Sequence, residues 1–391
     1  MSAAGKRVSW VELYLDLIFV LAVSELAQLI VAEPAARRVW VSLGLFMTLW
    51  WTWIGFAVLY NRQGADAPRQ RLLFLAGSVP TGVAAVAIEP ASVGDSTVFA
   101  LSLAVTRLVL AGAHAAGGDR ANLLRRRIIR SYLASATLFI VSIWVPEPWR
   151  YVLWAIGIAV ESGAILNEDR AAVRALRRDH DLSALPPVDP DEALDAHHFA
   201  ERFGLFLIIL LGEVVVSAGH AAVDGHVATF DGWAALAAAM TLAATLWWLY
   251  FDSASEINLR VLEMSGGSPT MARALFAVGH MLPSFALLIT AAGVGLLLGD
   301  DPPRLAYWLA CVGIGIYLAS TRVFMIAASR PGRIARLVLL LATFQLGRLH
   351  HVMGPHAYLW LLTAWAVMCA VLTTRQSHLI APDALARHFR G

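Results

Sequence analysis

At 391 residues, with 59% hydrophobic and 15% charged side chains, the chain is too apolar for a soluble domain, where about 25% charged is usual. Its mean hydropathy of +0.65 points the same way; the net charge of +2 decides nothing as a total, and no nucleic-acid partner is expected. What remains is an all-α polytopic membrane protein. Fourteen Trp and 29 Gly fit interfacial anchoring and close helix packing. Cys311 and Cys369 lie inside apolar runs, which argues against a disulfide or metal framework.

A membrane span needs about 20 apolar residues. Twelve candidates follow in order: 10–31, 38–60, 70–89, 96–117, 128–145, 149–166, 198–219, 231–252, 271–298, 305–327, 333–350 and 356–374. The first is no cleavable signal, because its apolar run is long and contains acids early. Segments 149–166 and 333–350 are short. Segment 271–298 is long enough to tilt or break, with Pro283 in its middle.

Arginine placement sets the expected orientation. Arg125, Arg126, Arg127, Arg174, Arg177, Arg178, Arg330 and Arg333 fall on one side, and few basic residues fall on the other. By the positive-inside rule the crowded side is cytoplasmic, with both termini there. The longest connection, 167–197, contains ALPPVDPDEALDA and reads as a cytoplasmic linker between two six-span halves, 1–166 and 198–391.

The halves echo one another in order. Glu12 to Ala27 answers Glu201 to Ala218, and Trp50 to Trp53 answers Trp247 to Tyr250. RLLFLAGSVP answers RALFAVGHMLP, Thr106-Arg107 answers Thr321-Arg322, and PWRYVLW answers PHAYLWL. With six spans per half the repeat is parallel, which favours a site between the halves near the bilayer midplane.

Ionised residues inside such helices need a reason, because a charge at the bilayer centre costs roughly 2.5–3.5 kcal/mol on insertion scales. The first helix holds Glu12, Asp16 and Glu25; the seventh holds Glu201, Arg202 and Glu213. Glu12 and Asp16 are four apart and share a face, while Glu25 lies opposite and roughly 20 Å beyond Glu12. Glu12 and Glu201 fall near helix starts, where a carboxylate favours the N-terminal dipole and reaches headgroup water. Asp16, Glu25 and Glu213 sit deeper, and Arg107 and Arg322 of the fourth spans are their expected partners. Against this stands a purely structural reading, in which Arg–carboxylate pairs only hold helices together. His280 precedes Pro283 by three residues and is either a satisfied core donor or part of a cavity opened by the proline kink. Glu161 lies near the expected cytoplasmic end of the sixth span, within reach of the interface. Adjacent His197 and His198 point about 100° apart on a helix, which excludes a zinc pair there. No Walker loop, HExxH, GxSxG or dinucleotide fingerprint stands in a suitable context.

WVELYLDLIFVLAVSELAQ and HFAERFGLFLIILLGEVVVSAG resemble the two signature helices of the bacterial low temperature requirement protein A family. The matching positions are Glu12, Asp16, Phe19, Glu201, Arg202, Gly204, Gly212 and Glu213. Where the family commonly has Ser after LGE, this chain has Val214. The resemblance implies a multi-pass protein of the bacterial inner membrane and no particular reaction.

Three functions compete at this stage. The first is a transporter whose acids carry a proton or hold an ion or small solute. The second is a membrane-embedded enzyme acting on a lipid or polyprenyl carrier, with His280 in acid–base chemistry. The third is a non-catalytic scaffold or sensor. Transport is preferred because deep acids recur in both halves. The cofactor, if any, is unknown, and the expected partners are membrane lipid and a proton, ion or small solute.

Overall fold

The computed structural model describes residues 8–64, 68–117, 123–165, 193–221, 229–321 and 330–377, and every regular element among them is helical. Helix α1 spans Trp10–Ala32, α2 Ala36–Gln63, α3 Pro68–Val86 and the short α4 Ile88–Ser92. They are followed by α5 Thr97–Ala116, α6 Leu123–Val141 and α7 Trp149–Ile165. After the long connection come α8 Ala196–Ala221, α9 Phe230–Leu249, α10 Ser255–Met264 and α11 Pro269–Ala272. The chain closes with α12 Met281–Leu297, α13 Arg304–Ser320, α14 Arg330–Gln345 and α15 Pro355–Ser377. Residues 167–192 of the expected linker lie outside the described residues, as does Arg322.

Among the described residues helix is found within each of the twelve expected segments, and eight stretches are long and apolar enough to cross a membrane by length and composition. Those eight are Trp10–Ala32, Ala36–Gln63, Thr97–Ala116, Leu123–Trp144, Ala196–Ala221, Phe230–Met264, Pro269–Leu297 and Pro355–Arg375. Helices α3, α7, α13 and α14 account for the other four segments. They are shorter or carry more polar residues, so composition alone does not establish them as spans.

Local chemistry sets the helix ends. The carboxylate of Glu12 accepts the backbone N–H of Ser9 at 3.0 Å, closing the first turn of α1. Gly64 ends α2 at φ +70°, a left-handed conformation that costs glycine little, and its N–H donates to the Tyr60 carbonyl at 2.7 Å.

The long segment around Pro283 does break, three residues ahead of the proline. Pro283 has no N–H, and its ring crowds the carbonyl four residues back. The chain answers with a π-turn over Arg273–Ala277 and a non-helical step at residues 278–280. A Cβ on Gly279 would stand 2.2 Å from the Leu275 carbonyl oxygen, so the break requires glycine there. The carbonyl of Ala277 takes the indole N–H of Trp50 on α2 at 2.8 Å, and Nδ1 of His280 bonds the Leu275 carbonyl at 2.9 Å. The break is thus sealed by side chains, as a non-aqueous surrounding demands.

Helix α12 is buried along most of its length and packs against α1, α8 and α13. Small residues bring α12 and α13 close: a Cβ on Gly293 would lie 2.6 Å from the Ala310 nitrogen, and one on Gly313 2.7 Å from the Ala286 carbonyl. Gly293→Val and Gly313→Val are each expected to lose about 1–3 kcal/mol of stability through overpacking. Gly112→Ala, where a Cβ meets nothing within 4 Å, leaves the melting temperature in detergent near that of the parent.

Candidate functional site

Helices α1 and α8 lie side by side and run parallel, since their contacts advance together from Glu12–His198 through Phe19–Phe206. Asp16 lies six residues in from Trp10, and Arg202 six in from Ala196; Glu12 and His198 each lie two in. Equal offsets place each pair at equal depth. The guanidinium of Arg202 donates to both Asp16 oxygens, Nη1 to Oδ2 at 2.6 Å and Nη2 to Oδ1 at 2.8 Å, a two-pronged geometry that strengthens the bond. Its Nε lies 3.2 Å from Oε1 of Glu12. Exposure is 1% for Glu12, 3% for Asp16 and 0% for Arg202, so these charges have little but one another.

Helix α2 completes the cluster. Trp53 donates its indole N–H to Oδ1 of Asp16 at 2.9 Å, and its ring lies 5.4 Å below the Arg202 guanidinium. His198 stacks on Tyr60, with Nδ1 3.1 Å from the Asn61 amide nitrogen and Nε2 3.3 Å from Glu12. An amide N–H can only donate, so Nδ1 accepts and Nε2–H faces the Glu12 carboxylate. The Asn61 side chain also bonds the backbone of Asp195 in both directions, at 2.9 and 3.0 Å. It thereby pins the start of α8 to the end of α2.

A second buried clamp joins α5, α6 and α7. Nε of Arg107 lies 2.5 Å from Oε1 of Glu161 and 3.0 Å from the Ser135 hydroxyl, and Nη1 donates to the Leu103 carbonyl at 3.2 Å. Its guanidinium sits 4.1 Å over the Phe139 ring. This corrects one expectation, for Arg107 pairs with none of the deep acids of the first and seventh spans. Arg107 lies more than two turns from either end of α5, whereas Glu161 lies four residues before the end of α7 and is buried, 1% exposed, against Arg107. The true partner of Asp16 is Arg202 on the helix that resembles its own.

The remaining positions divide. Glu213 of α8 is 4% exposed and holds only hydroxyls: Ser217 donates to its Oε1 at 3.2 Å, and Ser24 of α1 lies within hydrogen-bonding reach. No described arginine or lysine forms an ion pair with it, although the exposed His220, seven residues on, bears on it electrostatically. Glu25 is half-buried and Glu201 is exposed, outside both clamps. Glu12 and Glu201, aligned by sequence, therefore occupy unlike surroundings. Trp50 and Trp53 are likewise buried while Trp247 and Trp248 are exposed. His280 commits its other ring nitrogen to the Tyr250 hydroxyl at 2.8 Å, which makes it a core histidine. His197 faces Glu263 at the surface and His198 faces Glu12 inside, so the adjacent histidines diverge as expected. Among the described residues no group of three or more His, Cys, Asp or Glu is placed to hold a metal ion.

Sequence reasoning passed over Trp53, Asn61 and His198 as members of the cluster. The signal was available in part: equal offsets in two similar parallel helices point to Asp16 with Arg202 and Glu12 with His198. Arg202→Gln strands two buried carboxylates and is expected to lose roughly 3–5 kcal/mol of unfolding free energy. The exposed Glu201→Gln should change it by under about 0.5 kcal/mol in the same denaturation experiment.

The family that matches, over residues 7–373, is described as bacterial low temperature requirement A protein, and the chain belongs to it. A relative in Rhizobium meliloti (strain 1021), described as uncharacterized protein RA0937, is 25% identical over 334 residues, which is 83% of this chain and 78% of that protein. No solved structure matches. With its apolar helices, the chain is a multi-pass integral membrane protein.

Proposed function

We propose that this member of the low temperature requirement A family is a transporter-like protein of the bacterial inner membrane, moving a proton, ion or small solute past Glu213. In this reading it has twelve spans arranged as two six-helix halves, 1–166 and 198–391, with both termini cytoplasmic. The observation that carries the proposal is the contrast between the acids. Asp16 and Glu161 each hold an arginine, which spends their charge on structure. Glu213 is as deeply buried and has serine hydroxyls in place of a cation. Such a carboxylate keeps a proton or takes a cation to balance its charge.

Two polar stations then lie along the α1–α8 seam. The first is Glu12, Asp16, His198 and Arg202; the second is Ser24, Glu213 and Ser217. Eleven residues separate Arg202 from Glu213, about 16 Å of helix. Aromatic rings fill the space beside that interval: Phe19 meets Phe206 at 6.3 Å, and Trp53 meets Phe206 at 4.4 Å. This is an occluded state, and the aromatic block is the barrier that movement must open.

A second reading, a non-transporting scaffold, draws on the buried Asp16–Arg202–Trp53 cluster, in which both Asp16 oxygens are bonded by protein donors. Chemistry on a lipid or polyprenyl carrier draws less support, because both ring nitrogens of His280 are already bonded.

Proteoliposomes loaded with a pH-sensitive dye and energised by a potassium gradient with valinomycin separate the first two readings. Transport predicts protein-dependent proton movement that falls at least about tenfold in Glu213→Gln, a barrier change of about 1.4 kcal/mol. That variant should keep the parent's melting temperature to within a few degrees. Flux absent from the parent, or unchanged in the variant, favours the scaffold.

A further inference from the structure

Glu213 stands much closer to one end of the bundle than to the other. It lies eight residues before Ala221, the end of α8, or about 12 Å along the axis, and about 25 Å from Ala196 at the start. Ser24 likewise lies eight residues before Ala32, the end of α1, so equal offsets again bring two partners to one depth. The arginines of α6 mark the other end. Arg125 donates to the His114 carbonyl, Nδ1 of His114 lies 3.5 Å from the Gln63 amide, and neighbouring Asn61 holds the start of α8. Glu213 is therefore near the end opposite those arginines.

The two directions out from Glu213 differ in kind. Toward the start of α8, Phe206 packs against Phe19 and Trp53, and the Asp16–Arg202 pair follows. Toward the end of α8, Ser217 and His220 come four and seven residues on, which places them with Glu213 on one helix face. Helix α12 passes close beside this stretch, for a Cβ on Gly295 would stand 3.4 Å from the Ser217 Cβ. It carries no titratable side chain; α9 carries only Asp231, in its exposed first turn, and α1 at this depth only Glu25 beside Ser24. His220 is exposed and bears on Glu213 electrostatically.

We infer that Glu213 binds and releases a proton, exchanging it with the end opposite the α6 arginines along the face of Ser217 and His220. This rests on the transport reading, from which Glu213 is taken, and names what that site carries and from which side. Hydroxyl partners select a proton. A hydroxyl donates to an ionised carboxylate and accepts from a protonated one, so Ser24 and Ser217 can satisfy both states in place. One carboxylate and two hydroxyls also supply fewer oxygens than the roughly six that a hard cation gathers. Direction follows from the packing: aromatic rings close the way inward, and polar side chains line the shorter way out.

The test uses the full-length protein in membrane vesicles of each orientation. R126C with an impermeant maleimide reports which face is outside, since Cys311 and Cys369 are buried. Dicyclohexylcarbodiimide couples to protonated carboxyls in apolar surroundings, and peptide mass spectrometry reads the label at Glu213. Labelling should fall by about tenfold per pH unit past the titration midpoint when the face opposite Arg126 is made alkaline. Alkali on the Arg126 face should leave it unchanged. Label that follows the Arg126 face or both faces, or that never reaches Glu213, overturns the inference whether or not the protein moves protons. Net flux is read separately in the dye-loaded proteoliposomes. H220Q and S217A should each lower it roughly tenfold or more at the parent's melting temperature, and S217T, which keeps the hydroxyl, should restore it. Flux that needs Glu213 but ignores both H220Q and S217A overturns the route and leaves the transport reading standing. One-sided labelling without any flux supports the proton exchange and ends the transport reading instead.

Discussion

The fork of hydrogen bonds from Arg202 to Asp16 sets the arrangement of everything around it. Neither residue can face an apolar surrounding alone, so α1 and α8 must lie together with these two at one depth. Once that register is set, the rest of the seam follows along two parallel helices. Glu12 meets His198 one turn before, Phe19 meets Phe206 one turn after, and Ser24 comes to Glu213 beyond. Helix α2 is drawn in because Asp16 has acceptor capacity left, which the Trp53 indole fills.

The same rule accounts for the other polar features of the core. Arg107 and Glu161 join α5 to α7, with Ser135 of α6 as a third partner. Trp50 covers the carbonyl released ahead of Pro283, and Tyr250 and Leu275 use both nitrogens of His280. These buried groups find protein partners, as an apolar surrounding demands. Against that background Glu213 differs in kind, since its partners are hydroxyls and no described arginine or lysine forms an ion pair with it. The proposed function rests on that difference, and on the aromatic barrier beside the interval between the two polar stations.

Helix content, the eight stretches long and apolar enough to span, the break near Pro283 and membership of the family were legible in the sequence. Each depends on local apolar length, a missing N–H or a contiguous motif. The apparent doubling of acids was legible too, but it misled: Glu12 is buried and Glu201 exposed, although the same motif surrounds both. Which arginine answers which carboxylate was decided only in three dimensions, because Arg107 and Glu161 lie 54 residues apart and Asp16 and Arg202 lie 186 apart. Helical periodicity tells which face a charge occupies, and the packing of helices against one another decides what that face meets.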